Sequence, residues 1–314
     1  METEQGRKLY KADLHMHSRH SGMAKHLKFL RCRDCYSKPI DVYRTAKRRG
    51  MDLVTITDHD SIDGCLELLD QMGPLDDFVI AEEVSTWFPE FRHAIHIGVY
   101  DITEEHHREF QKLRKNGNEL VAYLKQQKLL YVLNHFFHDF ARTEYLRDYI
   151  RQMATLFRIF EVRNGSQQRE HSEFIQVLLK RFCDNPQGCG RVAGSDAHTL
   201  RRIGRTYTAS YATNREEFLR DIREGRTQVF GAHSNHISLA ADIYGVVLRY
   251  YPALYLPNRD EFPLMIRLKN MFLTLFTPPF LITPYVIAVR HSHIERSRIS
   301  RYSALFQAEA ENPA

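Results

Sequence analysis

Along the first two-thirds of this 314-residue chain, short apolar runs alternate with amphipathic stretches, the pattern of strands each followed by a helix. Leu53–Ile56, Phe78–Ala81, Ala94–Val99, Leu129–Leu133, Phe157–Val162 and Val192–Gly194 read as strands. Ser37-Lys38-Pro39 opens a helix with a cap residue and an early proline, and Gly50 closes it. Ile62–Gln71, Glu104–Gln127, Glu144–Met153 and His171–Arg181 carry helical spacing, and Thr213 or Asn214 caps Arg215–Glu224 ahead of Gly225. Repeated strand-then-helix units predict an α/β fold built on a parallel sheet or a barrel. After about Gly231 the alternation stops. Ile237–Tyr255 and Phe262–Val289 read as helical and proline-punctuated, so residues 1–235 form the expected domain and 236–314 a helical C-terminal extension.

Met271–Val289 runs 19 residues without a charge, close to the length of a bilayer span. Pro278, Pro279 and Pro284 interrupt it, which favours packing on the barrel or in a dimer interface over a straight span. Arg290, His291, His293, Arg296 and Arg298 follow, a flank suited to an anionic membrane surface or an acidic partner. The sequence specifies no oligomeric state.

Composition narrows the function classes. Apolar residues at 43% and charged residues at 26% describe a globular chain, not a disordered or fibrous one. The net charge of +5 is too mild for a dedicated nucleic-acid surface but does not repel an anionic substrate. The polar segment Met1–Lys8 predicts no secretory signal, and five cysteines are few for a disulfide scaffold, so the expected setting is a reducing cytoplasm. Cys32-x-x-Cys35 with Cys183 and Cys189 has the count for a four-thiolate zinc site, but the wide spacing favours unliganded thiols.

Seventeen histidines are the outlier, and their positions say more than their number. His15 and His17 follow the first apolar run. Asp58-His59 follows Leu53–Ile56, Glu82-Glu83 follows Phe78–Ala81, His96 lies within the next strand, Asn134-His135 follows Leu129–Leu133, and Asp196-Ala197-His198 follows Val192–Gly194. The C-terminal ends of parallel strands converge at one mouth of a barrel. One such histidine is ordinarily a hydrogen-bonded core or surface residue; six strand ends carrying His, Asp or Glu argue against chance. Residues two apart in a strand share a face, so His15 with His17, and Asp196 with His198, suit one ion each. Mixed imidazoles and carboxylates suit zinc, manganese or iron, with Glu83 placed to bridge two ions. Asp13 and Asp58 are candidates to orient imidazoles. Arg19, Arg163 and Arg201 are candidates for the oxygens of a phosphate, and His138 and His233 for supporting groups.

Taken in order, Asp-Leu-His-Met-His-Ser, Ile-Thr-Asp-His-Asp, Glu-Glu-Val-Ser, Ile-His-Ile and Gly-Ser-Asp-Ala-His resemble the motifs of the PHP superfamily, polymerase and histidinol phosphatase. The resemblance spans roughly residues 8–235. It implies a distorted seven-stranded (β/α) barrel holding two or three divalent ions and hydrolysing phosphoesters. Carried over by motif, His15, His17, Glu83 and Asp196 hold one ion, and Glu83 bridges to a second held by His96 and His135. His59 and His198 hold a third. Many members place a third-ion ligand at the positions filled here by Gly22 and Met23, so that ion is expected to bind weakly, with His20 and His26 as nearby substitutes. The expected catalytic set is Glu83 and Asp196 from the resemblance, with Asp58 and Arg19 from their position beside the ligands. The expected substrate is a small phosphorylated metabolite or nucleotide. Trimming of short RNA or DNA ends is the second reading, not favoured by the balanced charge, and a non-catalytic metal-binding module with a docking C-terminal segment is the third.

Overall fold

The computed structural model describes residues 8–24, 30–182, 189–256, 262–275 and 282–311. The chain starts with β1 (Tyr10–Asp13), then α1 (Pro39–Arg48), β2 (Leu53–Ile56), α2 (Asp63–Met72), β3 (Phe78–Phe88) and β4 (His93–Tyr100). Helices α3 (Glu104–Leu113) and α4 (Gly117–Gln126) lead to β5 (Leu130–Leu133), α5 (Leu146–Leu156), β6 (Ile159–Asn164), α6 (Arg169–Phe182) and β7 (Gly190–Gly194). Then come β8 (Thr206–Ser210), α7 (Arg215–Arg223), β9 (Gln228–Gly231), α8 (His236–Tyr255), α9 (Leu264–Leu275) and α10 (Thr283–Glu311).

One nine-stranded sheet runs in the order β7-β6-β5-β4-β3-β2-β1-β8-β9. It is mixed: β4 pairs antiparallel with both β3 and β5, and β8 pairs antiparallel with β1 and β9. The sheet curls until β7 meets β8, where Thr208 Oγ1 accepts from Ala193 N at 2.8 Å and donates to Ala193 O at 2.9 Å. The result is the expected barrel-like α/β fold, but with nine strands instead of seven.

The two additional strands lack an apolar signature. The buried side of β8 is Thr206, Thr208 and Ser210, polar residues used for closure, and β9 is half exposed. The single helix expected over Glu104–Gln127 breaks in two, because Asn116 caps a new start by accepting from Asn118 N at 3.1 Å. Asn214, not Thr213, caps α7. Strand β3 runs on to Phe88, past the expected end at Ala81, because β4 folds back along it.

The C-terminal extension packs into the main core. Ile299, Tyr302 and Phe306 of α10 are buried among Phe137, Phe140, Tyr149 and Phe174. The expectation for Met271–Val289 is met only in part. Ala288 is fully buried, but Phe272 and Ile282 are 62% and 66% exposed, and Tyr285, Val286 and Val289 face outward. The apolar spacing there fits a helix side left uncovered by the barrel; Pro278 and Pro279 lie outside the described residues. No described helix is long and apolar enough to cross a membrane. Cys32, Cys35 and Cys65 are free and buried, whereas Cys189 is disulfide-bonded, contrary to the expectation of unpaired thiols; Cys183 lies outside the described residues.

Candidate metal centre

The strand ends deliver their histidines to one place. Beyond β1 the chain stays extended, with His17 N–H donating to Ala197 O at 3.1 Å, so His15 and His17 point the same way. Gly194 permits this approach: a Cβ there would collide with His15 Cβ. After β2, His59 bridges to Glu83. Glu83 lies mid-strand in β3 and points inward, while its neighbour Glu82 pairs with His107 on α3 at 2.5 Å. His135 and Asp196, after β5 and β7, take φ of +25° and +50°. Such backbone costs about 1–3 kcal/mol per residue and persists only where surrounding structure holds it.

Glu83 is the hub and is fully buried. Its Oε1 lies 2.9 Å from His135 Nε2, 3.2 Å from His15 Nε2 and 3.5 Å from His96 Nδ1, and accepts from Asn134 Nδ2 at 2.9 Å. Its Oε2 lies 2.9 Å from His59 Nδ1. Asp196 Oδ1 sits 3.3 Å from His17 Nε2, while its Oδ2 accepts from Ser166 Oγ at 2.6 Å. Among the described residues, four sets of side chains bring ligand atoms within 4.8 Å of one another: His15/His17/Asp196, His15/Glu83/His135, His59/Glu83/His96 and His17/His59/His198. All eight expected side chains are therefore gathered in one cluster.

The donor set fits divalent cations on a specific observation. His15 Nε2, His17 Nε2, His59 Nδ1, His96 Nδ1 and Glu83 Oε2 are buried yet have no hydrogen-bond partner. Buried polar atoms are ordinarily satisfied, and four orphan imidazole nitrogens gathered around a carboxylate with an orphan oxygen of its own form a donor set that divalent cations fit. Several tautomers are already set for ligation. His15 Nδ1–H donates to Glu161 at 2.9 Å, which leaves the lone pair on Nε2, facing Glu83 and Asp196. Burial, with help from neighbouring imidazoles, pushes His17 down to about 3, and burial also pushes His96 down to about 3, so both are neutral ligands near pH 7. Burial opposes ionisation of Glu83, but His15, His59, His96 and His135 outweigh it and hold its carboxyl well below the usual range.

Other candidates lie elsewhere. Burial pushes Asp13 and Asp58 up to about 6, and both bind backbone instead of imidazoles. Asp13 accepts from Ser195 N and Gly204 N at 2.8 and 2.7 Å. Asp58 accepts from Ser18 N and Oγ at 2.6 and 2.5 Å, which fixes the turn after His17. Arg19 pairs with Glu67 at 2.7 Å, and so does His20 at 2.6 Å, which draws both away from the cluster. Arg163 donates to Gly231 O and Arg201 to Ser238 O. His233 meets Ser172, whereas the His138 ring lies 4.9 Å from that of His135, beside the centre. His26 lies outside the described residues.

Sequence reasoning missed four supports and one carboxylate in the centre. Glu161 holds His15 and also accepts from His135 N at 3.0 Å, Asn134 orients Glu83, and Asn164 donates to Glu161 at 2.9 Å, while Ser166, equally unforeseen, holds Asp196. A carboxylate inside the apolar run Phe157–Val162 was the available signal for Glu161. Asp34 lies 3.1 Å from His198 Nε2 and 3.5 Å from His59 Nε2, in a loop with no periodic pattern to point to it.

Residues 187–227, which include Asp196 and His198, match the family model described as PHP-associated. That segment resembles the PHP superfamily. An uncharacterized protein of Methanocaldococcus jannaschii is 42% identical over 57 residues, which are 18% of this chain and 33% of that protein, so the match spans a third of the relative's length. PsfC from Pseudomonas syringae shares the fold at 18% identity with a TM-score of 0.50, over 78% of this chain and 97% of that one. A two-domain protein from Bacteroides vulgatus containing a predicted PHP-like metal-dependent phosphoesterase aligns at 16% identity and a TM-score of 0.48, covering 76% of this chain and 70% of that one.

Proposed function

We propose that this protein is a metal-dependent phosphoesterase that hydrolyses a small phosphorylated metabolite or nucleotide. The observation that carries the reading is the convergence of four unpartnered, buried imidazole nitrogens on Glu83, whose Oε2 is itself unpartnered. Glu83 belongs to two of the four ligand sets, the place a bridging carboxylate needs. His15, His17 and Asp196 would hold one ion with Glu83, and His96 and His135 a second. Zinc, manganese or iron ions held there would supply a deprotonated water near neutral pH and polarise the phosphate. The chain's own part is preorganisation. Glu161 fixes the His15 tautomer, Asn134 fixes Glu83, and Ser166 fixes Asp196 through its outer oxygen. His138, beside the cluster, is the protein group best placed to meet a phosphate oxygen or leaving oxygen. In this reading residues 1–235 form the metallohydrolase unit and 236–314 an extension that buttresses it.

The test is a panel of phosphomonoesters, phosphodiesters and short oligonucleotides, run with zinc, manganese and iron in turn on the wild-type chain and on His17→Ala. Turnover of a small monoester that His17→Ala abolishes is the expected result. Cleavage of oligonucleotides alone would overturn it in favour of a nuclease, and no turnover with any of the three metals would leave a binding module.

A further inference from the structure

We infer that α9 and the N-terminal half of α10 form a docking surface for a membrane that bears anionic lipids. The surface uses none of the metal-centre residues and stands without them. Ten of the twenty large apolar side chains exposed among the described residues fall between Phe262 and Ala308, far more than a water-facing surface ordinarily gathers in so short a stretch. The charge excess of the chain lies in the same place. Phe262–Ala308 holds six Lys or Arg and one acidic residue, Glu295, which leaves 38 of the 44 basic and 38 of the 39 acidic residues to the rest of the chain. Glu295 is buried, so the outward side of this stretch displays no acidic side chain. Apolar side chains mixed with cations and free of acids suit a surface of acyl chains beneath negative headgroups. A second copy of the chain would instead set two such cationic faces against each other.

The exposed apolar residues follow one side of each helix. In α9, Leu264, Met265, Leu268 and Phe272 are 69%, 77%, 53% and 62% exposed, and helical spacing puts them within about 100° of arc. The opposite side of α9 is already seated. Asn270 is fully buried and donates to Leu30 O at 2.6 Å, while Ile266 and Leu273 pack with Leu30, Tyr250 and Leu254. A helix anchored by one side ordinarily turns polar residues outward on the other, and α9 does not. In α10, Tyr285, Val286 and Val289 share an exposed side, preceded by Ile282, and that side continues into His293 and Arg296 with Arg290 beside it. Apolar residues followed by cations along one side let a helix lay its first turns among acyl chains while the next turns meet headgroup phosphates. Arg296 also lies 3.0 Å from Glu170, but both side chains are exposed, so water screens the pair. Farther along, Ile299, Tyr302 and Phe306 fix the inner side of α10 in the core, so the outer side is rigidly mounted.

The experiment is co-sedimentation of the full chain with vesicles of phosphatidylcholine alone and of phosphatidylcholine with phosphatidylglycerol. It is run on wild type, on the double variant Leu268→Glu with Phe272→Glu, and on Trp87→Glu, which changes an exposed apolar position on β3. Wild type should bind the anionic vesicles at least about tenfold more tightly than the neutral ones, and added salt should weaken that binding. The double variant should bind the anionic vesicles at least about tenfold more weakly than wild type, and Trp87→Glu should match wild type. Circular dichroism of the three chains checks the fold. On wild type alone, a photoactivatable phospholipid should cross-link to peptides from Leu264–Leu275 and Tyr285–Val289, read by mass. No binding to anionic vesicles, equal binding by the double variant, or cross-links confined to other elements would each overturn the assignment. Sedimentation velocity without vesicles should show a monomer; a dimer that the double variant dissolves would give the surface to a second copy and overturn the assignment as well.

Discussion

Tyr302, on the C-terminal helix α10, connects the extension to the metal centre. Its ring is fully buried, with centroids 5.4 Å from Phe137 and 6.2 Å from Phe140, and its hydroxyl donates to Phe140 O. Arg298 reaches the same carbonyl and that of Phe137, each at 3.4 Å. These carbonyls belong to the loop that follows His135, so α10 clamps the segment presenting that ligand. Tyr302→Phe removes the shorter of the two bonds to Phe140 O and should cost about 1 kcal/mol, since Arg298 still covers the carbonyl. Tyr302→Ala also removes the ring and leaves a cavity, for which about 3–5 kcal/mol is expected. Urea unfolding of the three chains in chelator, read by circular dichroism, gives both differences. Loosening the loop should also weaken divalent-ion binding about tenfold in Tyr302→Ala, in the range seen for groups that support ligands. A cost below about 1 kcal/mol for Tyr302→Ala would show that α10 merely rests on the barrel, and the buttressing role would be lost.

Three further outcomes follow from the same geometry. Gly194→Ala should lower the melting temperature and weaken ion binding together, because the added methyl meets His15 Cβ; a variant with wild-type metal affinity would show that β7 can move aside. Burial pushes Glu295 up to about 7 from an unfolded value near 4.5, so the folded chain binds the extra proton between those values and loses stability as pH rises through them. The full penalty, present above pH 7, is on the order of 3 kcal/mol. Glu295→Gln should therefore stabilise the chain at pH 8 and hardly at all at pH 4.5, and equal effects at both pH values would refute the assignment. Arg19→Met should leave phosphoester turnover within about threefold of wild type, since its guanidinium is held by Glu67; a loss of a hundredfold or more would return Arg19 to the site.

The sequence made most of the inner centre legible because β1, β2, β5 and β7 expose their C-terminal ends at one mouth, so polar residues at those run ends had to converge, whereas Glu83 and His96 lie mid-strand, His96 on the antiparallel β4. Strand β2 was read to the residue, since Leu53–Ile56 is buried throughout and bounded by polar positions. Legibility failed where side chains do something other than fill the core. The buried side of β8 is threonine and serine because those hydroxyls close the barrel, and no alternation survives. Asp34 was invisible because the antiparallel pairing of Met23 with Arg33, not a period, brings it to His198. Arg19 was misplaced because distance along the chain says nothing of side-chain direction, and Glu67 on α2 captures it.

Elemental analysis of the purified wild-type chain beside Glu83→Gln tests the metal centre most directly. Glu83 offers each of its oxygens to different imidazoles, so loss of its charge should cost the ions that share it together. Removing one partner from a buried ionic set costs about 3–5 kcal/mol, or roughly two to four decades of affinity. Two or three divalent ions in wild type, with at least two lost together in a folded Glu83→Gln, is the result this account predicts. A folded wild-type chain that takes up no divalent ion, or a Glu83→Gln chain that keeps them all, would contradict it.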